Sequence, residues 1–236
     1  MFHHHVQSGK NISFQLRIDF DQSLWLVAYL LKTLLLSVKF LSMDPITSDT
    51  KLWEDFKKGE KYALSHIYYL YADPLFRYGK KFSGDNDMVK DAIQDLFFDL
   101  IRTRATLGTT DHIYFYLIKA LRRRLLKSPG GTKNLVLTGD GTENYPFDIV
   151  YSIEEEWIQK EELTKKEEIV RKGLAELSPK QREILYYRFT CDFEYEQICE
   201  IMSMKYDSAR KMVFRALKTL REHLSETNFT FFMLRF

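Results

Sequence analysis

From Asp49 to Lys127 apolar residues return at three- and four-residue steps, the spacing that lines one face of an α-helix. Leu52, Trp53 and Phe56 make the first stripe, and Leu64, Ile67, Tyr68, Tyr71, Leu75, Phe76 and Tyr78 a longer second one. Gly84-Asp85-Asn86 reads as a turn, with Asp85 or Asn86 capping a third helix that carries Val89, Ile93, Leu96, Phe97 and Leu100. After a loop around Gly108, Asp111 is placed to start a fourth, whose apolar face is Tyr114, Leu117, Ile118, Leu121 and Leu125.

The pattern then breaks. Residues 128–153 hold Pro129, Gly130, Gly131, Gly139, Gly141 and Pro146 among polar neighbours and read as a flexible linker. Helical spacing resumes over 154–226. Glu154 to Arg171 mixes acids and bases, as a solvated face does. Ser178-Pro179, a capping residue followed by proline, opens a helix through Ile184, Leu185, Tyr187 and Phe189. Two shorter helices, about Tyr195 to Met202 and Asp207 to Leu224, are joined by Ser203-Met204-Lys205-Tyr206. The expected fold is all-α: two small helical domains, 49–127 and 154–226, joined by a flexible linker, the second containing a helix-turn-helix.

Residues 1–42 stand apart. Leu24 to Leu41 is apolar and near the minimum length of a membrane span, with Lys32 in its middle and Lys39 near its end. A signal peptide fits poorly, because Asp19 and Asp21 precede the segment and no A-x-A site follows. Three readings fit: upstream sequence translated ahead of a true start at Met43, a membrane-associated segment, or one more packed helix.

Composition narrows the class without choosing it. Ten Gly and 5 Pro among 236 residues are too few turn formers for an all-β chain. Lys and Arg total 35 against 33 Asp and Glu, so the distribution of charge is more informative than the net +2. Cys191 and Cys199 form no CxxC pair and have no histidine near in sequence, as expected of reduced cysteines in a cytoplasmic protein. His3, His4 and His5 lie on a tail without carboxylate partners. No metal, cofactor or small-molecule substrate is expected, and no phosphate loop or nucleophile motif suggests an enzyme.

Three clusters carry chemistry. In the C-terminal helix pair, Ile198 and Ile201 form the inner face of the short helix, with Cys199 as the small residue at the crossing. The long helix offers Arg210, Lys211, Arg215, Lys218 and Arg221 opposite a stripe of Ala209, Val213, Ala216, Leu217 and Leu220. Such a helix lies in the major groove, where arginine donates two hydrogen bonds to guanine; the bland alternative is a helical hairpin with solvated bases. The second cluster is Lys119, Arg122, Arg123, Arg124 and Lys127, after Tyr114, Phe115 and Tyr116, in a run from Ile113 to Gly139 that no acid interrupts. Clustered cations with aromatic rings suit DNA opened into single strands, and equally a packed Tyr116 beside a solvated arginine face. The third is a ladder of Asp87, Asp91, Asp95 and Asp99, with Gln94 beside it. Its mutual repulsion on one helix face calls for a metal, basic neighbours or a basic partner, unless the face is simply solvated; a dinuclear metal centre would need His or Glu on facing helices, and His66 and His112 stand in no matching motif.

The segments LWEDFKKGEKYALSHIYYLYADPLFRYGKKF, VKDAIQDLFFDLI and FYLIKALRRRLL resemble the second conserved region of extracytoplasmic-function sigma factors of the sigma-70 family. LAELSPKQREILYYRFTCDFEYEQICEIM and SARKMVFRALKTLREHL resemble the fourth. The similarity spans about Lys51–Lys127 and Leu174–Leu224. It implies a first domain that docks the clamp helices of the RNA polymerase β′ subunit and opens the promoter −10 element. It implies a second that reads the −35 element and contacts the β flap. By this resemblance Asp91, Gln94, Asp95 and Phe97 occupy polymerase-docking positions, and Tyr116, Lys119, Arg122 and Arg123 occupy −10 positions. The loop from Arg104 to Asp111 stands where a flipped base is captured. Ser208, Arg210, Lys211, Phe214 and Arg215 match −35 reading positions. Two departures stand out: many members carry Asn in place of Arg123, and Ser203 replaces the usual turn glycine, tolerable where no left-handed backbone is needed. The resemblance also implies partners, namely core RNA polymerase, promoter DNA and an anti-sigma factor. A helix-turn-helix regulator acting without polymerase, or a membrane-anchored signalling protein using Leu24 to Leu41, are the alternatives.

Overall fold

The computed structural model describes residues 48–127, 136–137, 143–149 and 171–226. Residues 1–42, most of the glycine-rich linker and Glu154 to Val170 lie outside them.

Helix α1, Asp49–Lys58, starts where the Ser48 hydroxyl accepts the Lys51 N–H at 3.4 Å. It ends at Gly59, whose φ of 92° is a left-handed turn that costs glycine nothing. Helix α2, Lys61–Gly79, runs through a buried Pro74. Helix α3, Asn86–Thr103, is capped by Asp85, whose carboxylate accepts the N–H groups of Asp87 and Met88 at 2.9 and 3.1 Å. Where α2 meets α3, a Cβ on Gly79 would lie 2.4 Å from a Val89 methyl, so only glycine permits this approach. A short 3-10 turn, Arg104–Thr106, follows.

Helix α4, Ile113–Lys127, begins two residues after Asp111. The observed partners of its first N–H groups are different ones. Asp49 of α1 accepts the Ile113 N–H at 2.8 Å, and the His112 ring accepts that of Phe115 at 3.2 Å. A cap contributed from another helix is invisible to local pattern. Of the second predicted stripe, Tyr68 is 53% exposed and lies beside the core, its ring edge-on to Phe97 at 5.0 Å.

In the C-terminal half, Ser178 and Gln181 form a capping box at the start of helix α5, Pro179–Leu185. The chain then widens into a π turn, Tyr186–Thr190, closed by the Cys191 N–H donating to the Tyr186 carbonyl at 3.1 Å. That extra residue per turn lets Tyr186, Tyr187 and Arg188 all turn inward. Helices α6, Tyr195–Met202, and α7, Tyr206–Glu226, complete the unit, with α7 packed on both α5 and α6. In the linker stretch, β1, Val136–Leu137, pairs antiparallel with β2, Glu143–Asn144, leaving the fold all-α.

Both halves contribute to one core. Tyr145, Phe147 and Ile149 of the linker are buried, and the Asp148 N–H donates to the Lys81 carbonyl at 2.8 Å. Tyr78 of α2 stacks 5.9 Å from Tyr186, while Phe193 lies among His112, Tyr114 and Phe115 of the first half. Among the described residues no helix is long and apolar enough to cross a membrane.

Candidate nucleic-acid interface

The α6–α7 pair has the geometry of a helix-turn-helix. Ile198, Ile201 and Met202 are buried, as are Ala209, Val213, Ala216, Leu217 and Leu220 of α7. At the turn the Met204 N–H donates to the Cys199 carbonyl at 3.1 Å, and Ser203 takes a left-handed conformation, φ 51° and ψ 49°. The sequence condition for tolerating serine is therefore not met: the position does need glycine's conformation. Ser203→Gly is expected to stabilise the fold by about 1 kcal/mol, read as a raised thermal midpoint.

Burial of the α7 stripe turns Ser208, Arg210, Lys211, Phe214 and Arg215 outward, all exposed. The Arg210 guanidinium lies 5.9 Å from the centre of the Tyr206 ring, which limits its wandering at the helix start. A planar, oriented donor on an exposed helix N-terminal turn is what a base edge in the major groove requires.

The basic cluster of α4 divides into two faces. Arg123 and Lys127 are exposed and, with Arg124 and Tyr116, line a crevice of about 290 Å³ between α3 and α4. Tyr116 is half-buried, its ring centre 4.9 Å from that of Trp53. Arg124 forms an ion pair with Asp99, which also accepts from Arg102 at 2.7 Å. The hydrogen bond from Arg124 holds the Asp99 carboxyl below the usual carboxylate range.

The other face turns toward the C-terminal half. Lys119 is ion-paired to Glu200 of α6. Arg122 is buried and donates from Nε and Nη2 to the two oxygens of Glu183 at 2.7 and 3.2 Å. Glu183, 0% exposed, also accepts from Tyr145 and, at 2.6 Å, from Tyr187. Burial disfavours the Arg122 charge, but Glu183 more than offsets this and raises its pKa above the ordinary arginine value. Desolvation and the same carboxylate raise Tyr145 and Tyr187, so both hydroxyls stay protonated as donors. Nearby, the Lys81 ammonium lies 4.9 Å from the Tyr186 ring centre, and burial lowers its pKa to about 8.

On α3, Asp91, Gln94 and Asp95 are exposed, and Phe97 is buried beneath them against Tyr68. The acidic ladder is thereby split. Asp87 is paired with Lys90 at 3.6 Å, whereas Asp99 faces the arginines of its own domain. Beside the ladder, a groove of about 1400 Å³ between α2 and α3 exposes Tyr69 and Phe98, at 73% and 67%. Pattern reading passed over both aromatics because they fall off the apolar stripes. A large aromatic on a polar face was the available signal.

The loop from Arg104 to Asp111 is anchored where the Trp53 indole N–H donates to the Gly108 carbonyl at 2.8 Å. Cys191 sits against the Tyr114 hydroxyl at 3.9 Å, and burial pushes its thiol up to about 12. The described residues hold no group of three or more His, Cys, Asp or Glu able to bind a metal.

An outward-facing basic helix in a helix-turn-helix, carried on an all-α chain, defines a DNA-binding protein of the helix-turn-helix class. Residues 167–220 match the family model described as sigma-70, region 4. No curated protein matches the chain. Among solved structures, it is similar to a chain from the co-crystal of the sigma factor RpoE with the anti-sigma factor NepR of Bartonella quintana. That likeness has 19% identity over 73% of this chain and 98% of that one, at a TM-score of 0.44. A chain of the RsbN–BldN complex is 16% identical over 72% of this chain and 97% of that one, at a TM-score of 0.28.

Proposed function

We propose that this chain is an extracytoplasmic-function sigma factor that directs core RNA polymerase to promoters in the cytoplasm. The supporting observation is the region 4 helix-turn-helix with Ser208, Arg210, Lys211, Phe214 and Arg215 exposed along one face of α7. That face reads the −35 duplex. On the first domain, Tyr116 and the cations Lys119, Arg122 and Arg123 of α4 receive the −10 strand, and the Arg104–Asp111 loop receives a flipped base. Core polymerase docks on α3 through Asp91, Gln94, Asp95 and the Phe97 edge. The exposed Tyr69 and Phe98 supply the apolar part of the same surface, and acids around an aromatic patch suit a basic helical partner. Domain boundaries at 49–127, 128–153 and 154–226 follow from this division of labour. The reading needs no catalytic residue, metal or cofactor, and an anti-sigma factor is its expected regulator.

Co-elution with core polymerase tests the docking face. Asp91→Arg with Asp95→Arg is expected to weaken binding at least about thirtyfold, two like-charge contacts each costing over about 1 kcal/mol. Both positions are exposed, so helicity should be unchanged. Undiminished binding would move the docking site elsewhere.

A further inference from the structure

We infer that Trp53 is the positioning residue of the −10 site, its indole fixing the Arg104–Asp111 loop and the Tyr116 ring at one spacing so that a place for an unstacked base stands preformed. This inference rests on the sigma reading above, which gives strand contacts to Tyr116 and base capture to the loop.

Trp53 is fully buried on α1, and its side chain meets both parts of the site. The indole N–H donates to the Gly108 carbonyl at 2.8 Å, across 55 positions of chain, and the ring centre lies 4.9 Å from that of Tyr116. An indole N–H is a donor only, and a buried one needs an acceptor, so this bond ties the Gly108 peptide to the core. Gly108 itself is exposed, and surface loop backbone is ordinarily the most mobile part of a domain. At its two ends the loop is held by local bonds. The Leu107 N–H donates to the Arg104 carbonyl at 3.4 Å, and the His112 N–H to the Thr110 hydroxyl at 3.1 Å.

Helix α1 braces the loop along its length. At the C-terminal end of α1, a Cβ on Gly59 would lie 3.2 Å from the Arg104 guanidinium, so glycine there leaves room for the first loop residue. At its N-terminal end, Asp49 accepts the Ile113 N–H at 2.8 Å, just past the last loop residue. Trp53 stands between these two ties and carries the middle. The exposed Thr106 and Thr109 offer hydroxyls that donate and accept, as a base edge requires. Drawing a base out of its stack costs free energy, and a loop that had to be ordered at the same moment would add to that cost. Trp53 touches no base; it acts through Gly108 and Tyr116.

The test uses holoenzyme assembled from core polymerase and the full chain, bound to the labelled non-template strand of the protein's own promoter. A series of the same strand carries one abasic site at each −10 position in turn. Two changes remove the indole N–H: Trp53→Phe, and replacement of Trp53 by its benzothiophene analogue, which keeps the bicyclic ring with sulfur in place of N–H. Wild type is expected to show one position where the abasic site weakens binding far more than its neighbours do. Both variants should lower affinity for the intact strand by about tenfold and bring the penalty at that position down to its neighbours' level. A merely structural loss would instead lower binding at every position and on duplex carrying the −35 element, which overturns the assignment. So would a variant that keeps the wild-type profile, or an active wild-type holoenzyme with no outlying position. If Trp53→Phe does not fold, the analogue decides. Failure of the sigma reading shows separately, as wild-type chain that does not bind core polymerase, and the inference falls with it.

Discussion

Glu183→Ala is expected to lower the unfolding free energy by about 3–5 kcal/mol, because it strands a buried guanidinium. Arg122 would keep only its contact with the Tyr145 hydroxyl, at 3.1 Å, and the Tyr187 hydroxyl would lose its acceptor. Removing both charges together should be far milder. In the double variant Arg122→Met, Glu183→Leu, no charge is left unpaired, and aliphatic side chains replace both desolvated ions. Urea unfolding followed by circular dichroism measures each loss. A single-variant loss under about 1 kcal/mol would mean that water reaches this pair and that the halves are not held by it.

Loss of sequence-specific duplex binding is the second large effect. Arg210→Ala and Arg215→Ala each remove a bidentate donor that discriminates guanine by about 1–3 kcal/mol, so the pair should reduce discrimination by about 2–6 kcal/mol. Lys211→Ala should act differently. A phosphate contact weakens all sequences alike and lowers the salt slope of binding by about one. Anisotropy titrations at several salt concentrations separate the two kinds of residue. All three side chains are exposed, so stability should stay within about 0.5 kcal/mol. Equal loss on cognate and random duplex for the arginines would make them phosphate contacts too.

Much of this molecule is legible in its pattern of apolar positions, and what is not has identifiable causes. The stripes Leu52–Phe56, Val89–Leu100 and Leu117–Leu125 recur as buried faces because helical periodicity and burial are one geometric fact. Ser178, Asp85 and the Ser203–Lys205 connection were recognisable because caps and turns are local chemistry. The Asp49 carboxylate at the start of α4 was not, since the two residues it joins are 64 apart in the chain. The same reason hid the fate of Arg122. A run of cations shows that a helix is basic, but only the opposing acids, Glu183 and Glu200, show which cations are already answered. Tyr145, Phe147 and Ile149 sit in a stretch whose glycines and prolines signal a linker, and composition does not report that its aromatics are buried between the halves. The Leu24 to Leu41 segment lies outside the described residues.

Run-off transcription with core RNA polymerase of the source organism, on the promoter of the protein's own gene, tests the central claim most directly. Full-length chain and a chain beginning at Met43 are compared, each with and without Asp91→Arg, Asp95→Arg. The account predicts a promoter-dependent transcript that requires the chain and disappears with the charge reversal. Tight duplex binding through Arg210 and Lys211, with no polymerase association and no transcript, would contradict it and make the protein a regulator that acts without polymerase docking.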